Sequence, residues 1–593
     1  GAAIDDSVNV IVDDGGTLNL KADETIASLA NAVGAALNGA TLSVGANELT
    51  IAGAISTTFN GAVTGSGAIL NDGSGKLELT GDGSGFTGLL GSAGTGSEIA
   101  LTGAGTTGAL GLGATAGNTF STDGGAILDS SALLVADGQV TFTGSETVGS
   151  VINSSVSGNA NGTITLTGAG TTLTVSGAAN ALNPGAVNGT DGTIDGTGTL
   201  NISGGTFQVG VTGDVQTATT VAAAGTLVNN GTMAGVTNAG NTTNNLTMGA
   251  VGNSGTFTNT GSAGALTNTG AGGGSNSGTL ASLAQNSTGT FTNTGIVSGA
   301  TSVSAGTLNL NAGSNLSDAA ALTVSGGTVN VNTAETVGSL VANGGTTNVN
   351  ATLTAGALSG TAGSIVTTGP AGVVTGSANS STSFGGVISG SGYLQKVGTG
   401  TLTLTGANTF AGGTTVTSGT LALTGSGAIS GTSFTIDPTG TLTSDGGAFT
   451  TSASIRNDGA FALTAGGDES IANIFNGGTI ALSSGSVLTL NSGASTISGV
   501  ISGAGDLTVA GTSATTLSGA NTYTGVTTLT GGTLELQNGA AIADAGAVVV
   551  NAGTLTVTDA ETIGSLAGSG GTVQMDANLT TGGNNSSTSY AGV

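Results

Sequence analysis

Gly327-Thr328-Val329-Asn330-Val331-Asn332-Thr333-Ala334-Glu335-Thr336-Val337-Gly338-Ser339-Leu340 returns as Gly553-Thr554-Leu555-Thr556-Val557-Thr558-Asp559-Ala560-Glu561-Thr562-Ile563-Gly564-Ser565-Leu566, shifted by 226 residues. The match runs over residues 306 to 350 and 532 to 576. Its Gly-Thr openings fall at Gly306, Gly327 and Gly345, then at Gly532, Gly553 and Gly571, so the internal steps are 21 and 18 residues in both copies. A step of about 20 residues, opened by Gly-Thr and a short alternating strand, is the length of one turn of a β-solenoid. The sequence predicts an all-β chain built as a single elongated rod of about 30 coils. Stacked roughly 4.8 Å apart, these would extend about 140 Å.

Composition agrees with a repeat fold. As compact domains, 593 residues would suggest about four, but a solenoid grows in one dimension and has no such limit. Hydrophobic residues are 37% of the chain and aromatics only 3%, which predicts a narrow core of small and branched side chains. Gly numbers 115 and Pro 3, a balance that suits frequent turns and excludes collagen and Pro-rich linkers. Asp and Glu total 31 against 4 Lys and Arg (Lys21, Lys76, Lys396 and Arg456), a net charge of −27. Nothing here neutralises a run of phosphates or an anionic lipid surface, so nucleic acids and acidic membranes are excluded as partners. Without Cys there is no disulfide framework. No apolar stretch reaches the ~18 residues of a membrane-spanning helix. The chain opens at Gly1 without a signal-peptide pattern, which leads us to expect a processed chain or a fragment.

Ser7-Val8-Asn9-Val10-Ile11-Val12, Thr163-Ile164-Thr165-Leu166-Thr167 and Thr401-Leu402-Thr403-Leu404-Thr405 alternate with period two, which places Thr and Asn outside and Val, Leu and Ile inside. Residues 21 to 38 have an Ala-rich, helix-like look, but Glu24-Thr25-Ile26 inside them belongs to a recurring motif. Its copies start at Glu24, Glu146, Glu335, Glu469 and Glu561. In four of them a Gly lies eight residues upstream; in the Glu469 copy Gly459 lies ten upstream, which suggests a small turn insertion. The Glu either accepts hydrogen bonds from turn N–H groups or faces solvent. Three divisions follow: residues 1–210 with Glu-Thr-Ile/Val repeats, 211–300 as an Asn/Gly-rich subtype, and 301–593 with a further strand repeat. In the middle division Gly225-Thr226-Leu227-Val228-Asn229-Asn230-Gly231 returns 30 residues later as Gly255-Thr256-Phe257-Thr258-Asn259-Thr260-Gly261. Asn before a turn Gly invites an amide ladder between coils; a flexible linker is the alternative.

The stretch from Ile388-Ser389-Gly390 through Lys396 and Thr401-Leu402-Thr403-Leu404-Thr405-Gly406-Ala407-Asn408-Thr409-Phe410 to Gly419-Thr420-Leu421-Ala422-Leu423 closely resembles the autotransporter-associated β-strand repeat. A second copy runs from Ile501-Ser502-Gly503 through Ala520-Asn521-Thr522-Tyr523 to Leu536, with Val509 in place of Lys396. A weaker one spans Gly65 to Gly88. The resemblance implies a right-handed parallel β-helix carried to the surface of a Gram-negative bacterium, often adhesive, with a signal and a membrane barrel that this sequence does not contain. Asn585 to Val593 repeats Asn379 to Val387, after which the first strong copy begins. The natural protein is therefore expected to continue past Val593 with an Ile-Ser-Gly-like segment.

Chemistry is sparse. Without His or Cys there is no imidazole or thiol catalysis and no ordinary zinc site. Arg456, beside Asn457 and Asp458 in an expected turn, is the one basic residue to weigh for polysaccharide cleavage, and a solvated turn charge is the simpler reading. No catalytic or cofactor-binding residue is assigned. Asp5-Asp6, Asp13-Asp14, Asn71-Asp72-Gly73-Ser74-Gly75 and Asp82-Gly83-Ser84-Gly85 offer oxygen ligands for Ca²⁺, but none has a complete binding-loop pattern. The expectation is a non-enzymatic, extracellular adhesin or stalk meeting a host or neighbouring cell. The alternative is a filament or surface-layer subunit that meets copies of itself end to end.

Overall fold

In a computed structural model of the chain the alternating segments are strands whose every second side chain turns inward. Thr163–Leu166, Thr307–Leu310 and Thr401–Leu404 enclose Ile164, Leu166, Leu308, Leu310, Leu402 and Leu404 and leave the intervening Thr and Asn half-buried on the outside. The structure describes residues 3–593 except 33–38, 103–105, 108–110, 115–116, 124–126, 128–130, 137, 154–161 and 178–188. The described residues contain no helix and 54% of them are strand, in parallel sheets stacked as a β-solenoid of about 26 turns. No helix is long and apolar enough to cross a membrane among the described residues.

The chain divides into two compact units, Gly1–Ser282 and Leu283–Val593. In the first, Asn9–Val12 pairs in parallel with Ser28–Asn31, a step of 19 residues. The helix-like segment is therefore strand at Glu24–Ile26 and Ser28–Asn31, with Ile26 and Leu29 sealed in the core; its remainder, 33–38, lies outside the described residues. Coil length then varies. Thr174 lies in register with Asn201, a step of 27. From Asn229 the step falls to 15, with three short strands per coil, such as Gly225–Asn229, Thr232–Met233 and Val236–Asn238. The 30-residue similarity seen in sequence thus spans two coils, with Asn241–Asn244 between its halves. Longer coils elsewhere are why the count is nearer 26 than 30.

In the second unit Thr307, Thr328, Thr346 and Ser364 stack in one column with steps of 21 and 18 at its Asn neighbours, matching the spacing read from sequence. Insertions go to corners. The two extra residues before Glu469 fall in the turn where Gly467 N–H donates to Thr464 O (2.9 Å), and Gly466 there takes φ +73°. Asn379 and Asn585, the paired residues of the terminal similarity, both adopt the left-handed conformation (φ 59° and 57°), which Asn tolerates better than most residues. The core is a one-dimensional stack. Of the aromatics, Phe434, Phe449 and Phe461 meet edge to face, with centroids 4.9 and 6.0 Å apart, where two successive coils overlie one another.

Candidate functional site

Each recurring Glu occupies a corner and reaches back one coil. Glu24 accepts from Ile4 N–H (3.1 Å), Glu335 from Leu316 N–H (3.1 Å), and Glu146 from Ile127 N–H (3.3 Å) and the Thr122 hydroxyl (2.9 Å). Glu561 accepts from Ala541 and Ile542 N–H (3.2 and 2.9 Å). Glu469 accepts from Ala448 and Phe449 N–H (2.8 and 3.3 Å) and from the Ser444 hydroxyl. Four of the five are buried; Glu24 is half-buried. Of the two readings open in the sequence, the carboxylate caps turn N–H groups that the strand ladders leave unpaired.

Asn takes the same place in two coils where sequence reasoning did not look for it. Asn408 Oδ1 accepts from Ile388 N–H (2.9 Å), and Asn521 Oδ1 from Ile501 N–H (2.7 Å), again 20 residues back. Their amides donate onward to Ala428 O (3.2 Å) and Ala541 O (2.7 Å). The next residues, Thr409 and Thr522, each bond the same Ile carbonyl at 2.8 Å, and the aromatic ring after them, Phe410 or Tyr523, is fully buried. The common signal is Glu or Asn, then Thr or Ser, then a large apolar residue. It was present in the sequence but divided between two motifs.

Burial pushes the Glu469 carboxyl above its ordinary value, partly offset by the Ser444, Ala448 and Phe449 donors, with Asp445 pushing the same way as burial. Glu561 is raised for the same first reason, opposed by Ile542 and Ala541 N–H and assisted by Asp544. Tyr523 is raised by burial above all, and its hydroxyl bonds Thr527. Lys396 is enclosed, and its ammonium donates to Val397 O, Gly398 O and Ser418 O (2.7, 2.8 and 3.2 Å), which ties its own turn to the next coil. Burial lowers its pKa. Val509 fills the equivalent place without such bonds. Lys76, in the weaker copy, instead lies half-exposed between Glu78 and Glu98 (3.7 and 3.5 Å). A protease test follows, since cleavage needs a locally opened chain. Trypsin is expected to cut the folded chain after Lys21, which is exposed between strands, and to cut after Lys396 only once the coils are unfolded. Comparable rates at the two sites would contradict the enclosed lysine.

Both strong copies of the Asn corner coincide with a family model. The model described as passenger-associated-transport-repeat matches residues 394–423 and 507–536. This chain carries two passenger-associated-transport repeats. With its β-solenoid it fits an autotransporter passenger-domain repeat protein. No curated protein and no solved structure matches the chain. The repeats imply secretion toward the surface of a Gram-negative bacterium.

The other candidates do not assemble into a site. Arg456 is in the strand Ser454–Asn457 rather than a turn, points outward, and among the described residues pairs with its neighbour Asp458 alone (2.8 Å). Asp5 and Asp82 close local turns onto Ser7 and Ser84. Asn71 is buried and donates to Gly75 O and Glu98 O (both 2.8 Å), so its amide serves the corner. Among the described residues no group of three or more His, Cys, Asp or Glu converges on a point that could hold a metal.

Proposed function

We propose that this passenger-repeat chain is a non-catalytic adhesin or stalk presented outside the cell. The observation that carries the reading is the pair of passenger-associated-transport repeats set within the coil stack, each locked to the coil before it by its Asn corner. Polar groups that would be chemically interesting in an enzyme are here consumed by capping: the corner Glu, the corner Asn and Lys396 all bond backbone. What faces outward is chiefly Thr, Ser and Asn on long parallel sheets, a surface suited to reach and contact rather than to chemistry.

The test uses the complete natural gene expressed in a Gram-negative host, with an epitope inserted after Asp318, an exposed turn position. Labelling of intact cells, together with adhesion to neighbouring or host cells that is lost without the gene, is the expected result. Absence of label from intact cells would sink the passenger reading. Surface label without any gain of adhesion would leave a stalk and remove the adhesin.

A further inference from the structure

The charge of this protein is unevenly placed. No Asp, Glu, Lys or Arg occurs between Asp214 and Asp318, nor between Glu335 and Lys396. In the second unit one sheet face falls wholly within this neutral span; the nearest charges are Asp318, in an exposed turn, and the buried Glu335, on another strand. Its outward columns are Thr307, Thr328 and Thr346 beside Asn309, Asn330 and Asn348. The Asn column is a ladder, with Asn330 donating to Asn309 and Asn348 to Asn330, both at 2.7 Å. A second ladder, Asn311, Asn332 and Asn350, runs along the adjoining turn with bonds of 2.8 Å. Within a ladder each inner amide spends one N–H and one lone pair on its neighbours, so one donor and one acceptor remain for an external partner.

We propose that this Thr/Asn face is a lateral contact surface for a second copy of the same chain. Two arguments select that occupant. An amide is donor and acceptor at once, so a face of amides and hydroxyls is complementary to itself, whereas a face of one charge sign is not. A second copy also presents its groups at the same coil spacing, so several rungs engage together. Molecules of net charge −27 repel one another at low salt; a face without charges meets the least of that repulsion, and salt screens the remainder. The contact is side to side, unlike an end-to-end joining of rods, and it does not depend on the export route. Five four-residue strands of this column, Thr290–Asn293 through Ser364–Thr367, each roughly 13 Å long and stacked at ~4.8 Å, give on the order of 300 Å² per copy, which places the contact in the weak class. Many chains on one surface would multiply it.

The experiment is sedimentation velocity of the purified chain over a concentration series, at low salt and at about 1 M salt, where the Debye length is ~3 Å. Reversible association that strengthens with salt is expected. Asn309→Asp/Asn330→Asp/Asn348→Asp should weaken it at least about tenfold at low salt, since like charges face one another. Thr401→Asp/Thr420→Asp/Thr441→Asp adds the same charge to another outward column and should associate as the parent does, apart from the small effect of net charge. The neutral Asn309→Ser/Asn330→Ser/Asn348→Ser variant should weaken association without added charge, while circular dichroism shows all three variants folded. A parent chain monomeric at every concentration and salt overturns the proposal. So do Asp variants that behave alike, and so does capture of a neutral glycan by this face in a chain that does not self-associate.

Discussion

Glu469→Ala is expected to lower the stability of its own coil and the one before it by about 2–5 kcal/mol, and to leave distant coils untouched. The substitution removes the acceptor of Ala448 N–H, Phe449 N–H and the Ser444 hydroxyl in a corner that water does not reach. Each orphaned buried donor costs about 1–3 kcal/mol. Part of this is returned, because the carboxylate itself is held there against desolvation. Since coils contact chiefly their neighbours, the loss stays local. Hydrogen exchange should therefore quicken in peptides covering residues 440–476 and not in those covering 301–350. Uniform quickening, or none, would contradict the corner account. The pH dependence has an unusual sign. Glu469 and Glu561 are raised in the folded state, so the native chain binds protons more tightly than the unfolded one between the ordinary value of 4.5 and the higher native one. These two corners gain stability as pH falls through that window and gain nothing below it. Mild acid also relieves the net negative charge, so the isolating comparison is Glu469→Gln/Glu561→Gln. That variant should show a smaller rise in Tm than the parent between neutral pH and pH about 4.5, the floor of the window. An equal rise would assign the whole effect to net charge.

The corner position shows why the fold was legible in the sequence and its working parts only partly so. Strand alternation and the Gly-Thr spacing are local and period-driven, and they predicted the stacked columns at Thr307, Thr328 and Thr346. The Glu copies were visible for the same reason, but whether a carboxylate caps or faces water depends on which coil lies behind it. The 15-residue coil was hidden by side chains that break the pattern. Between the two similar coils stands Asn241-Thr242-Thr243-Asn244-Asn245-Leu246, where Thr242 replaces Leu227 or Phe257 in the core and Leu246 replaces the turn Gly. Alternation places Asn309 and Asn330 outside and, two residues after the inward Leu227 and Thr242, Asn229 and Asn244 inside; what it does not supply is the amide partner that makes a wholly enclosed Asn tolerable. Lys396 is the same lesson in stronger form, an ammonium inside a repeat of a chain with 4 basic residues.

Asn244→Ala is expected to damage the 15-residue coils far beyond its share of the simultaneous replacement of its ladder. Asn229, Asn244, Asn259 and Asn276 form one enclosed ladder, each amide donating to the next carbonyl oxygen at 2.7 Å. The second N–H of each goes to backbone, from Asn229 to Thr247 O (2.8 Å) and from Asn244 to Ser262 O (3.0 Å). Removing Asn244 alone takes the ladder partner from one Asn229 N–H and from the Asn259 oxygen and one donor from the Ser262 carbonyl, a local cost of about 2–5 kcal/mol. Replacing Asn229, Asn244 and Asn259 together by Val removes the two inner ladder bonds donor with acceptor, which is nearly neutral for groups of similar shape, and takes a partner at the ladder's ends, from Gly231 N–H and the Asn276 oxygen. The corner itself accepts that shape, because Val209 lies in register directly before Asn229 in the same column. The triple variant should therefore cost far less than three single losses added together, measured as exchange protection of peptides within residues 225–280. The parallel ladder offers the converse. It begins at Asn238, in register with Val221, and the Asn238 oxygen has no partner on that side. Val221→Asn should supply one and raise local protection, whereas additive single losses with no gain at Val221 would show that the ladder contributes shape alone.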